Sequence, residues 1–214
     1  MSKRAPKRTA VERRRLILES AQTVFANSNY ARTCTADLAK AAGVSEPALY
    51  RYFNGKKDLY VCALKATQAR LLKIWERIAS DVVSPLDALV TIGMGYYDHS
   101  QSRSPVMKLF YEALSETDDP EIRTVVRSSF ISMVRFIAET LEDGKAQGLV
   151  RRDVDSRVAA WQFVAIGLAF DLINLLGLQE EMDRDKVEHW GTLYMRSVRE
   201  RRRGTVEYQG PAAG

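Results

Sequence analysis

Residues 33–59, TCTADLAKAAGVSEPALYRYFNGKKDL, gather the side chains best placed for chemistry, and that chemistry is recognition of a polyanion rather than bond making. Leu38, Ala39 and Ala42 give a short helix one apolar face, Gly43 permits the positive φ of a tight turn, Val44 plugs the turn, and Ser45 caps a second helix. Small Ala39 opposite Leu49 lets the two helices cross closely. Leu49, Tyr52 and Phe53 point inward, which leaves Glu46, Pro47, Ala48, Tyr50 and Arg51 facing outward or at the N-terminal end. Those are the positions that the second helix of a helix-turn-helix presents to the major groove. Arg51 suits either guanine or phosphate, and Lys56 opens a helix whose free N–H groups and dipole also favour an anion. Glu46 fits the helix dipole but is repelled by phosphate unless it accepts from a cytosine amino group.

Nothing comparable supports catalysis. His99 and His189 stand alone, HExxH and Cys/His clusters are missing, and Gly93 and Gly95 lie in a helical pattern rather than after a strand. No serine nucleophile motif occurs. An enzyme is therefore not expected, nor any cofactor or metal. The alternative to weigh is an all-helical small-molecule-binding protein or enzyme without DNA affinity.

The charge distribution agrees with a polyanionic partner. The chain of 214 residues has a net charge of +5, yet residues 1–60 carry 12 Lys/Arg against 5 Asp/Glu while the remainder carries 20 against 22. Lys3, Arg4, Lys7 and Arg8 form a flexible basic arm, suited to phosphate or minor-groove contacts or simply to solvent. A content of 46% hydrophobic and 28% charged residues excludes general disorder. Cys34 and Cys62 lack paired spacing, and the charged start is unlike a secretory signal, so a cytoplasmic location is expected. Residues 158–178 are apolar enough to raise the question of a membrane, but Gln162, Asp171 and Asn174 interrupt them and no membrane association is expected.

These residues must be positioned by helices. Periodicity is helical throughout, so the fold class is all-α. Ser84-Pro85, Ser104-Pro105 and Asp119-Pro120 each place a capping side chain before a proline, Gly148 suits a left-handed helix end, and Asp153 or Asp155 caps the next helix. The predicted helices are 11–28, 35–42, 46–52, 56–79, 85–101, 105–116, 120–147, 155–177 and 183–203. Four segments result: a basic arm at 1–10, an N-terminal three-helix DNA-binding domain at 11–58, a larger helical ligand-binding and dimerisation domain at 59–203, and a disordered tail at 204–214. The long helix from 56 joins the two domains rigidly.

Gly43-Val44-Ser45, then Tyr50 and Phe53, then Lys56 and Leu59, behind a first helix carrying Ala21, Val24 and Phe25, closely resemble the N-terminal domain of the TetR family of transcriptional regulators. The resemblance covers about residues 11–60. It implies that the helix from Ser45 to Tyr52, with Glu46, Pro47 and Ala48, enters the major groove. It further implies that Tyr50, Lys56 and the start of the preceding helix, with Thr33 and Thr35, hold phosphates. One departure stands out: Cys34 occupies the capping position three residues before Asp37, where the family has Ser or Thr. A thiol caps poorly, so Thr33 or Thr35 is expected to take over. The resemblance also implies a repressor that dimerises through its last two long helices and is released from a pseudo-palindromic operator by a small-molecule effector.

In the larger part, residues 120–147 carry a stripe of Val126, Phe130, Met133, Val134, Ile137 and Leu141, while residues 155–177 are apolar nearly all round and need covering on both sides. One side packs within the subunit and the other on a partner, with Trp190, Tyr194 and Met195 alongside. Tyr96, Tyr97, His99, Met107, Phe110, Phe130, Met133 and Phe136 are candidates to line an apolar cavity, against the plainer alternative of ordinary core packing. Asp171 and Asn174, three apart on a greasy helix, are expected to hold a polar ligand group or to pair across the dimer.

Overall fold

The computed structural model describes residues 9–101 and 105–200, apart from the side chains at 101 and 105–107. The basic arm before residue 9, the Met107 side chain, Arg201 to Arg203 and the tail lie outside what the structure describes. Within them the secondary structure is helical: α1 Ala10–Ser28, α2 Thr35–Ala41, α3 Glu46–Leu49, α4 Lys56–Asp81, α5 Pro85–Gln101, α6 Pro105–Ser115, α7 Pro120–Ala146, α8 Ser156–Leu175 and α9 Arg184–Val198.

Local chemistry sets most helix ends. Thr9 and Glu12 form a reciprocal capping box on α1. Ser84 accepts the Asp87 N–H at 3.1 Å, Asp119 caps α7, Asp155 caps α8 and Asp183 caps α9. Gly148 follows α7 at φ 71°, as its sequence position suggests. Three ends differ from expectation. Cys34 keeps the α2 capping position: its thiol donates to the Asp37 carboxylate at 2.9 Å and its N–H donates to the same oxygen at 3.5 Å. Neither threonine takes over, because Thr33 donates to the Asn29 carbonyl and Thr35 to Glu46. The second helix of the motif is regular only to Leu49, after which Tyr52 and Phe53 N–H groups both turn back to the Leu49 carbonyl. Finally, α9 ends at Val198: Arg199 caps it, its N–H donating to the Met195 carbonyl at 2.9 Å, and then turns extended to form an isolated antiparallel bridge with Val150.

Two hydrophobic clusters are joined end to end by α4. Its first half contributes Leu59, Tyr60 and Leu64 to a cluster with Ile17 and Phe25 of α1, Leu38 of α2 and Leu49 of α3, and this cluster runs on into Leu109 and Ala113 of α6 and Ile122 and Val125 of α7. The boundary expected at 58/59 thus falls within α4, and the core crosses it. Farther along α4, Trp75 joins Leu89 and Ile92 of α5, Val134 and Ile137 of α7, Ala160 of α8 and Tyr194 of α9. Phe130 packs against both clusters. Lys57 adds a polar tie between the modules, its ammonium lying 3.2 Å from Asp119 and 3.5 Å from Glu121 at the start of α7.

Helix α8 packs on α5 and α7, but Val158, Trp161, Leu172, Leu175 and Leu176 remain exposed on its other side. By length and composition it is the one helix among the described residues that is apolar enough to cross a membrane.

Candidate nucleic-acid interface and cavity

The turn between α2 and α3 is built as its residues suggest. Gly43 adopts φ 66°, Ser45 accepts the Ala48 N–H at 3.3 Å, and Pro47 occupies the first turn of α3. Leu49 and Phe53 are buried, while Ser45, Pro47, Tyr50 and Arg51 are exposed, Tyr50 to 50%. Ala48 is half-buried.

Three candidate contact residues form a small polar lock instead of standing free. The Thr35 hydroxyl donates to the Glu46 carboxylate at 2.9 Å, and the Tyr50 hydroxyl reaches Thr35 Oγ1 at 3.5 Å. Glu46 is thereby turned toward the start of α2, where it pins the two helices together. Thr33 is buried, with its hydroxyl 2.6 Å from the Asn29 carbonyl, so its side chain does not reach the surface. The Lys56 ammonium sits 4.4 Å above the Tyr30 ring and donates to the Tyr30 carbonyl at 3.0 Å. An ammonium has three donors, so it can still meet a phosphate while holding the turn after α1. Arg14, whose guanidinium lies 4.6 Å above Phe53, adds another basic group beside the motif. The Cys34 thiol and then its N–H hold the Asp37 carboxyl below its usual range.

A cavity of about 590 Å³ lies in the larger part, walled by α4 to α9. Tyr96, Phe110, Phe130, Met133 and Asp171 line it; Tyr97, His99, Phe136 and Asn174 do not. Tyr97 is rotated away and packs edge-on against Phe170 at 5.5 Å, Phe136 lies 5.7 Å from the Trp75 ring, His99 is exposed near the end of α5, and Asn174 is one turn beyond the cavity. Leu71, Trp75, Tyr111 and Phe163 also stand on the walls, and sequence reasoning does not single them out for that place. A usable signal was the glycines inside long helices, which cost about 1 kcal/mol each relative to alanine. A Cβ at Gly93 would lie 3.6 Å from the Phe163 ring and one at Gly167 3.5 Å from the Tyr96 ring, so both glycines lie beside aromatic rings of the cavity wall, at distances where an alanine would make ordinary contact.

The polar feature of the cavity is Asp171. Its Oδ2 accepts the Tyr96 hydroxyl at 2.5 Å, and burial pushes its carboxyl up from 3.8 to about 6 despite that bond. Tyr111 donates to the Leu168 carbonyl at 2.6 Å, and burial followed by the charge of Asp171 pushes its hydroxyl up to about 12. Burial and Asp171 likewise push Tyr96 well above the ordinary tyrosine value. At the rim, Arg184 is held by Asp98 at 2.7 Å and Glu188 at 3.1 Å. No group of three or more His, Cys, Asp or Glu among the described residues could hold a metal.

Comparison with known proteins places the motif and the fold in one group. Residues 17–61 match the model for bacterial regulatory proteins of the tetR family. The HTH-type transcriptional regulator TtgR of Pseudomonas putida is 28% identical over 165 residues, which cover 73% of this chain and 77% of that protein. The HTH-type transcriptional repressor KstR2 of Mycolicibacterium smegmatis is 24% identical, with 67% and 70% covered. A TetR transcriptional regulator from Chloroflexus aurantiacus shares the fold, with a TM-score of 0.74 and 22% identity over 89% of this chain and 98% of that one. The matched segment begins in α1, spans α2 and α3 with the turn between them, and ends within α4, whose far half walls the cavity; the chain carries a tetR-family helix-turn-helix domain and is a DNA-binding transcriptional regulator.

Proposed function

We propose that the protein is a dimeric repressor released from a pseudo-palindromic operator when a small molecule enters the cavity. The observation that carries this reading is that one rigid element serves both ends. Helix α4 has 26 residues and so spans about 39 Å. Leu59, Tyr60 and Leu64 at one end belong to the core under the helix-turn-helix, while Leu71 and Trp75 farther along wall the cavity. A ligand that repositions Trp75 therefore moves α3. Phe110 of α6 and Phe130 of α7 supply a second route, since each lines the cavity and packs on the first core cluster.

In this reading α3 lies in the major groove, with Arg51 reading bases, and Tyr50, Lys56 and the first residues of α2 around Thr35 holding phosphates. The exposed apolar residues of α8, with Leu193 of α9, meet a second copy rather than lipid, and the protein works in the cytosol. Dimerisation then sets two recognition helices about 34–36 Å apart, one turn of DNA.

The test is operator selection from genomic fragments, followed by gel shift with and without candidate effectors, and distance measurement between spin labels on the two copies of α3. Ligand is expected to weaken operator binding and to shift the label separation. Weakened binding at an unchanged separation, in crosslinked dimers, would refute the lever.

A further inference from the structure

We propose that the cavity takes an organic monocation, an amine or quaternary ammonium ion on an apolar body, with its charge seated on the Asp171 carboxylate beside the rings of Tyr96 and Tyr111. This rests on reading the cavity as the effector site and adds the chemical class of the effector.

Three observations carry it. First, Asp171 brings a carboxylate into a wall that is otherwise largely aliphatic and aromatic, and no Lys, Arg or His of the described residues pairs with it. Of the arginines that line the cavity, Arg184 is already engaged by Asp98 and Glu188, while Arg196 and Arg199 are exposed. Second, the Tyr96 hydroxyl occupies Oδ2 only, and no hydrogen bond among the described residues reaches Oδ1. A carboxylate in apolar surroundings with an open oxygen and no counter-ion is costly, and a bound cation relieves that cost where a neutral ligand displaces water and makes it worse. An anionic ligand adds repulsion. Third, aromatic side chains border the same space: Tyr96, Tyr111, Phe110, Phe163 and Phe170 all line it, and aromatic rings attract cations. The volume of about 590 Å³ falls within the range usual for small-molecule sites.

The discriminating experiment uses the full chain and three ligands of one skeleton: (4-phenylbutyl)trimethylammonium, its neutral tert-butyl isostere, and the anion 5-phenylpentanoate, each titrated at pH 8 by calorimetry and by tryptophan fluorescence. The cation is expected to bind about 30-fold more tightly than the isostere, with the anion weakest. Asp171→Asn is expected to abolish most of that preference while changing the isostere's affinity by no more than about 3-fold, with circular dichroism showing that the variant is folded. If cation and isostere bind the wild-type protein equally, or if Asp171→Asn keeps the preference, the cationic assignment is wrong although the cavity remains an effector site. If none of the three binds at millimolar concentration, the effector-site reading falls with it. The comparison on the wild-type chain stands whether or not the variant folds.

Discussion

Replacing Asp171 with asparagine should make the ligand-free protein more stable, and only above the acid range. Burial raises the carboxyl from 3.8 to about 6 in the folded protein, so the folded state holds a proton more tightly than the unfolded chain does. Well below 3.8 both states are protonated and the residue costs nothing. As the pH rises from about 4 to about 6 the unfolded chain has released its proton while the folded protein still holds it, so stability falls, and above about 6 the full penalty of the buried anion stands. At about 1.4 kcal/mol per pKa unit the full penalty approaches 3 kcal/mol, reduced to about 2 kcal/mol by solvent within the cavity. Asparagine removes the charge but keeps an oxygen able to accept the Tyr96 hydroxyl. For a chain of this size each kcal/mol moves Tm by about 2–4 °C, so the variant should melt about 4–8 °C higher at pH 8 and within about 2 °C of wild type at pH 4. Thermal melts followed by circular dichroism from pH 4 to pH 8, at one fixed protein concentration, make the comparison. A variant no more stable than wild type at pH 8 refutes the reasoning, as does a gain that persists unchanged at pH 4.

Other perturbations test other links. Phe110→Ala removes a buried ring shared by the cavity wall and the core beneath the helix-turn-helix; it should cost about 3–4 kcal/mol by urea denaturation and reduce the response of operator binding to ligand. Lys56→Ala should weaken binding to every DNA sequence alike and lower the salt slope by about 1, whereas Arg51→Ala should relax preference at a single base pair by about 10-fold. Binding to a sequence library at several salt concentrations separates the two, and equal sequence-independent losses would remove Arg51 as a reader. Leu172→Glu places a charge on the exposed apolar side of α8 and should give monomers in analytical ultracentrifugation; an unchanged dimer would move the interface elsewhere.

The helix order was legible because its signals are local. Prolines 85, 105 and 120 each sit at the first helical position, with Ser84 and Asp119 capping behind the first and third, and Gly148 takes the positive φ its place requires. The cavity was less legible because its walls depend on how far each helix runs past its neighbours. Met133 and Phe136 lie three apart on α7, yet Trp75 of α4 covers the second and leaves the first open. Tyr111 follows Phe110 directly and still faces the same space, which periodicity on α6 alone does not require. The link from Glu46 to Thr35 was invisible for a different reason. It joins residues eleven apart across a turn, and its geometry follows from the helix crossing rather than from either helix.

The core that runs from α1 into α6 and α7 bears on how such proteins can be recombined. Cutting after residue 58 would strip Leu109, Ala113, Ile122 and Val125 from the cluster that holds Ile17, Phe25 and Leu38. A chimera that grafts this reading head onto a foreign sensor must therefore carry the matching surfaces of α6 and the first turns of α7. Exchange of sensors between such regulators is thus constrained less at the linker than at a buried seam that the linker does not contain.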